Sequence, residues 1–229
     1  MNNEEREYQK LSKMGQSLGV IIPECFLEME VKMPSGKVIY YHKQRSHSWV
    51  RNAYNLMISQ LGGINASDAV FGAGFINEKR QDGVISNLAS QLVIDYGGNP
   101  ETQSFSYHAG AGITVFGIVV GSSVQAESFE DFSLITPITN GLGAGQLSYN
   151  ASEVPIKSYD IPSKTYSVAH IRYMNNNTGG DVLINEVALI ANANGNDTVK
   201  SRDLILATVT IPDTGQLKVT YTISLVYPA

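Results

Sequence analysis

The stretch Leu217-Lys-Val-Thr-Tyr-Thr-Ile-Ser-Leu-Val-Tyr227 decides the fold class. Leu217, Val219, Tyr221, Ile223, Leu225 and Tyr227 fall on one side of an extended chain, and Lys218, Thr220, Thr222 and Ser224 on the other. A period of two over so many residues is the pattern of a strand with one buried face. Just before it, Leu204 to Ile211 reads as another strand, and Pro212-Asp-Thr-Gly215 as the turn that pairs the two. The pattern repeats upstream. Thr165 to Met174 alternates, Asn175-Asn-Asn-Thr-Gly-Gly180 turns, and Val182 to Ile190 returns as its expected partner. Ile113 to Val120, interrupted by Gly117, has too little polarity for an open face and is expected to be buried on both sides.

Toward the N-terminus, Phe26 to Met33 sets Phe26, Glu28 and Glu30 against Leu27, Met29, Val31 and Met33. Pro34-Ser35-Gly36 supplies a turn and Val38 to Tyr41 the returning strand. Residues 46–61 predict a helix. Val50, Ala53, Tyr54, Met57, Ile58 and Leu61 recur at helical spacing, Ser46 or Ser48 serves as cap, and Gly62-Gly63 ends it. Such a helix, carrying Trp49, is expected to plug one end or face of a sheet. Residues 62–99 read as a long Gly- and Asn-punctuated excursion with one strand over 91–96. Residues 1–22 form an arm in which Tyr8, Leu11 and Met14 make a thin apolar stripe. The arm is either a short helix or a segment that orders only against a partner, and the second reading is preferred. The expected architecture is therefore mostly β. It is a single antiparallel β-sandwich (jelly-roll-like) over residues 23–229, with one amphipathic helix and an N-terminal arm.

Composition narrows the function. Only 16% of the 229 residues are charged and the net charge is −5, against roughly 25% charged in ordinary domains. A lightly charged surface costs less to desolvate on association and suits protein–protein packing. The acidic balance argues against nucleic acid, which needs a basic stripe; Lys43 to Arg51 is the densest basic stretch and reads as a solvated turn and helix start. No apolar run approaches the ~20 residues of a membrane span. Met1 to Lys13 is polar, without the apolar core of a signal peptide, so synthesis in the cytoplasm is expected. The single cysteine, Cys25, makes no internal disulfide and reads as a buried hydrophobe.

No catalytic constellation emerges. His42, His47, His108 and His170 are scattered, with no third ligand at a metal-site spacing. Glu127, Glu130 and Asp131 are the best carboxylate cluster and read as solvated loop acids; a glycan hydrolase using Glu127 or Asp131 is the remote reading. Gly110-Ala-Gly112 is followed by a strand, where a dinucleotide fingerprint demands a helix. Asn192 to Asp197 has alternate oxygen ligands but lacks the terminal Glu of a calcium loop, and an Asn-Gly turn explains it better. The sequons at Asn65, Asn150, Asn176 and Asn196 mean little without a signal peptide. No catalytic, cofactor-binding or metal-binding residue is assigned, and no enzyme activity is expected.

Three pieces of the C-terminal half carry a resemblance. They are Phe116 to Ser123 followed by Phe129 to Leu134, then Ile171 to Gly180 running into Ile184 to Leu189, and then Arg202 to Leu206 with Val219 to Leu225. The pattern resembles virion structural proteins of tailed bacteriophages, of the tail, collar or head-decoration kind. The resemblance covers roughly the last 115 residues and brings no catalytic residues with it. It implies a structural protein of the virion that assembles with its own copies and with other virion proteins. The alternative is a carbohydrate- or receptor-binding module, with Tyr107, Tyr149, Tyr159 and Tyr166 as surfaces on which a glycan stacks.

Overall fold

The computed structural model describes residues 3–20, 22–62, 77–86, 107–193 and 195–227. Its elements run α1 (Asn3–Leu18), β1 (Pro23–Lys32), β2 (Val38–Arg45), α2 (Arg51–Gly62), β3 (Glu78–Lys79), β4 (Ile85–Ser86), β5 (Gly117–Gly121), β6 (Ser148–Tyr149), β7 (Ile156–Asp160), β8 (Thr165–Asn175), β9 (Val182–Ala193), β10 (Asn196–Ile211) and β11 (Gln216–Val226). The strand expected over 91–96 lies outside the described residues.

Two antiparallel sheets make a β-sandwich-like fold, as the alternation predicts. The larger sheet has the order β2-β1-β11-β8-β6, with β7 also pairing β8. The smaller is β10-β9-β5, and β3 pairs β4 apart from both. Strand β11 is the large sheet's central strand. Leu217, Val219 and Tyr221 are fully buried. They lie in register with Val31, Met29 and Leu27 of β1 and with Met174, Arg172 and His170 of β8. Each fully buried Leu or Val contributes about 1.5–3 kcal/mol, so this face alone supplies much of the core. Residues Val187 to Ala191 of β9 are buried on both faces.

The strand pairings predicted across the two C-terminal turns are corrected. β8 does not pair with β9, nor β10 with β11; each turn carries the chain from one sheet to the other. Turn residues specify a reversal. They do not specify whether the returning strand hydrogen-bonds ≈ 4.8 Å away in the same sheet or stacks ≈ 10 Å away across the core. Here the two turns bind each other through Asn176, which is fully buried. Its amide Nδ2 donates to the carbonyls of Gly180 and Ile211, both at 2.7 Å. Its backbone N–H donates to Gly215 and its carbonyl accepts from Thr214. Gly179 N–H adds a bond to the Asp213 carboxylate at 2.9 Å. By contrast β9 and β10 do pair, with Asn196 opposite Ala193; the Asn-Gly turn read between them includes residue 194, which lies outside the described residues.

The apolar strand is shorter than predicted. It begins at Gly117, whose φ of +84° no L side chain adopts cheaply. A Cβ there would stand 2.8 Å from the Ala109 methyl. From Gly117 to Gly121 it is buried on both faces, as expected.

The helix predicted over 46–61 starts at Arg51. Residues 48–50 instead pair with β10: Val50 N–H donates to Lys200, Arg202 N–H donates to Ser48, and Trp49 bridges Ser201. Tertiary pairing overrides the helical spacing there, and Trp49 precedes the helix. Its buried face is also rotated from the predicted one. Asn52, Ala53, Leu56 and Ser59 are buried, while Tyr54, Met57, Ile58 and Leu61 are exposed. Asn52 explains the rotation, because its amide donates to Lys79 O and accepts from Lys79 N–H, both at 2.8 Å, as a strand backbone would.

The arm is helical, against the preferred expectation that it orders only on a partner. Arg45 holds it. That guanidinium lies 4.4 Å from the Tyr8 ring and 4.6 Å from the Phe26 ring, with Glu5 at 3.1 Å and Glu24 at 3.2 Å. Arg45 is thus a part-buried clamp, and Lys43 pairs with Glu28 at 2.7 Å. Neither belongs to the solvated turn foreseen for that basic stretch.

Candidate functional site

The chemistry-bearing side chains gather inside the sandwich, along β10. Lys200, Ser201, Arg202 and Asp203 are consecutive and all buried. Four buried polar residues in a row require a strand flanked by partners on both faces, since each uncompensated charge would cost several kcal/mol. A register shift between Val199 and Ser201 leaves Lys200 as an extra residue and re-aims its side chain. Its ammonium meets the buried Glu78 carboxylate at 2.5 Å. Glu78 accepts a further bond from the Thr198 hydroxyl at 2.6 Å. Burial lowers the Lys200 pKa and the Glu78 charge opposes that.

Arg202 is the centre of a second group. It donates from Nε to Glu186 and from Nη1 to Asp131, both at 2.8 Å, and from Nη2 to the Gln125 carbonyl at 2.9 Å. Glu186, also fully buried, accepts from the backbone N–H groups of Ile135 (3.3 Å) and Thr136 (2.8 Å). Asp131, Glu186 and Arg202 come from three separate stretches of the chain, the segment after β5, β9 and β10. One network of charge-assisted bonds thus joins all three stretches.

Asp203 points to the large sheet. Its Oδ2 accepts from Tyr221 (2.7 Å), Ser201 (2.8 Å) and Ser46 (2.9 Å). Burial raises the Asp203 pKa, against the lowering by these hydroxyls. Burial, then the neighbouring Asp203 charge, pushes the Cys25 thiol up to about 12, which makes it inert. The expectation of a buried Cys25 holds.

Among the described residues no acid pairs with Arg172. Its guanidinium donates to five carbonyls, those of Asn150, Phe116, Ile118, Gly110 and Ile113, at 2.6–3.4 Å. It also lies 4.8 Å from the Tyr149 ring. Burial lowers its pKa to about 10, so it stays charged at neutral pH. One side chain therefore fixes the whole Gly110–Ile118 segment, including the glycines that superficially suggest a dinucleotide loop.

The three loop acids are not simply solvated. Glu127 accepts from Leu204 N–H at 2.6 Å and faces His47 at 3.4 Å, Asp131 binds Arg202, and the exposed Glu130 pairs with Arg51. Each is engaged in holding the loop to its neighbours. The histidines stay apart in role. His42 bonds Gln44, His47 bonds Arg45 O, and His170 packs edge-on against Tyr107 with ring centroids 5.0 Å apart. Among the described residues no group of three His, Cys, Asp or Glu is placed to hold a metal ion.

The four tyrosines considered for glycan stacking divide. Tyr107 and Tyr149 are buried, Tyr149 with its hydroxyl on Ile138 O at 2.9 Å, and neither can stack on a sugar. Tyr159 is exposed, sits opposite Tyr166 across the β7–β8 pair, and lies 6.0 Å from the exposed Tyr227 ring. The Asn176 sequon is closed by burial.

Sequence reasoning passed over Arg172, Glu186, Lys200 and Arg202. Arg172 and Glu186 gave one visible signal, since each interrupts a largely apolar strand, whereas Lys200 and Arg202 lie in a polar run that reads as surface. Comparison with known proteins returned no matching family model, no matching curated protein and no matching solved structure.

Proposed function

We propose that the chain is a structural protein of a tailed-bacteriophage virion, acting without catalysis and assembling by protein–protein contacts. The observation that carries this reading is helix α1. It is anchored at its N-terminal end by the Arg45 clamp, yet leaves Leu11, Met14 and Leu18 exposed along one side. An anchored helix with an open apolar stripe is an arm presented to a partner. The low charge density and the resemblance of the C-terminal half point the same way. On this reading the arm docks onto another virion protein, and the buried ionic networks hold the body rigid during assembly. The test is the solution mass of the purified chain, and its binding to the other virion proteins, with and without residues 1–19. Loss of binding on truncation is expected. A chain that neither self-associates nor binds any virion protein sinks the reading.

A second reading, a glycan- or receptor-binding module, is favoured by the exposed ring pair of Tyr159 and Tyr227. Quenching of tyrosine fluorescence by glycans, abolished in Tyr159→Ala, is its signature.

A further inference from the structure

Among the buried ionic contacts along β10, that of Lys200 with Glu78 differs in kind from those of Arg202. Glu186 has both carboxylate oxygens bound by backbone N–H groups, and its cation is a guanidinium, which does not lose a proton inside a protein. Glu78 is held through Oε2 alone, by the Thr198 hydroxyl at 2.6 Å. Its Oε1 lies 2.5 Å from the Lys200 nitrogen, yet among the described residues it accepts no directed hydrogen bond. The nitrogen therefore touches the carboxyl group without being aimed at it as a donor. A lysine nitrogen, unlike a guanidinium, is a nucleophile once deprotonated. Burial favours that neutral form.

Both partners are fixed by regular structure. Asn52 clasps the backbone of Lys79, next to Glu78, with two bonds of 2.8 Å. Val50 N–H donates to the Lys200 carbonyl at 3.1 Å, and Gln81 N–H to that of Asp197 at 3.3 Å. The two side chains are only 2% and 1% exposed. Reactive groups held in contact, in one orientation and away from water, behave as if at very high concentration.

We propose that Lys200 and Glu78 condense after folding into an isopeptide bond between Nζ and Cδ, with the loss of one water. Nζ attacks Cδ, and the negative charge that develops on Oε2 is stabilised by the Thr198 hydroxyl. Of the three ammonium protons, two pass to Oε1, which departs as water, and one stays on the amide nitrogen. Nothing is oxidised or reduced, and no further reactant is needed. Two buried charges become one neutral amide. Even a paired charge is costly to keep in the interior, so removing both favours the condensed form. The bond ties β3 to β10 covalently whatever the chain's partners, and it restricts how far residues 78–200 can extend on unfolding.

The test is the intact mass of the full chain under denaturing conditions, followed by tryptic peptide mapping, for the wild type and Lys200→Arg. The wild type should weigh one water less than its residues require. Trypsin should leave residues 78 and 200 in one branched peptide, uncut after Lys200. Lys200→Arg keeps the positive charge and removes the nucleophile, so it should show its full mass. A wild type of full mass overturns the proposal. So does a lost water that maps away from residues 78 and 200, or one that persists in Lys200→Arg. The decisive reading is made on the wild type, so a variant that folds poorly does not obscure it.

Discussion

At the scale of single residues, the fold depends on a few buried polar groups whose removal leaves others without partners. Arg172 is the clearest case. Arg172→Leu would strand five carbonyls and should cost at least about 3 kcal/mol, whereas Arg172→Lys should recover part of that through fewer donors. Urea unfolding of both variants measures it. His170 sets a pH dependence. Its pKa is lowered from 6.5 to about 4, by burial first and by the His108 charge second. Between those values the unfolded chain binds a proton that the folded chain refuses, so stability rises with pH. It is lost as pH falls from about 6.5 to about 4, by at most about 3 kcal/mol. Comparing His170→Gln with the wild type at pH 7 and pH 4.5 should show a smaller acid loss in the variant. These residues were poorly legible in the sequence. An arginine in a strand reads as surface, and only the three-dimensional placement of five carbonyls makes it interior.

At the scale of elements, the sequence served well for strands and badly for their partners. β8, β11 and the β1–β2 hairpin were readable from alternation, because burial of one face imposes a period of two, whereas β10 runs from Asn196, well before the predicted start at Leu204, because its first half is buried on both faces. The pairing across the two C-terminal turns was not readable, because a turn's composition is the same whether it closes a hairpin or crosses a core. Asn176 decides between these, and Asn176→Ala should cost about 2–4 kcal/mol by freeing the carbonyls of Gly180 and Ile211. Thermal unfolding is the measurement, and a cost under about 0.5 kcal/mol would show that the turns hold without it. Helix α2 carries a related lesson. Its polar residues face inward to substitute for a strand backbone, so the apolar spacing marked the exposed side. Its start was misplaced because residues 48–50 hydrogen-bond to β10, a long-range choice that local spacing does not encode.

At the scale of the whole molecule, the two sheets are interleaved in chain order. β1, β2, β6, β7, β8 and β11 make one layer, and β5, β9 and β10 the other. The sandwich class was legible from the strand count. The assignment of strands to layers was not, since it depends on contacts far apart in sequence. β11 lies between β1 and β8, pairing along its length with both. A chain ending at residue 215 should therefore lack cooperative unfolding altogether, and circular dichroism with a thermal melt would show it. The position of that strand also governs the order of events during synthesis. β1 leaves the ribosome early and β8 much later, and each must wait with an open flank for a neighbour translated after every other strand described. Until it arrives, both flanks are open to the wrong strand, including those of neighbouring nascent chains on the same message. Slow, non-local closure of this kind exposes a chain to aggregation. A chain with this topology would gain from a chaperone or a lower temperature during that interval.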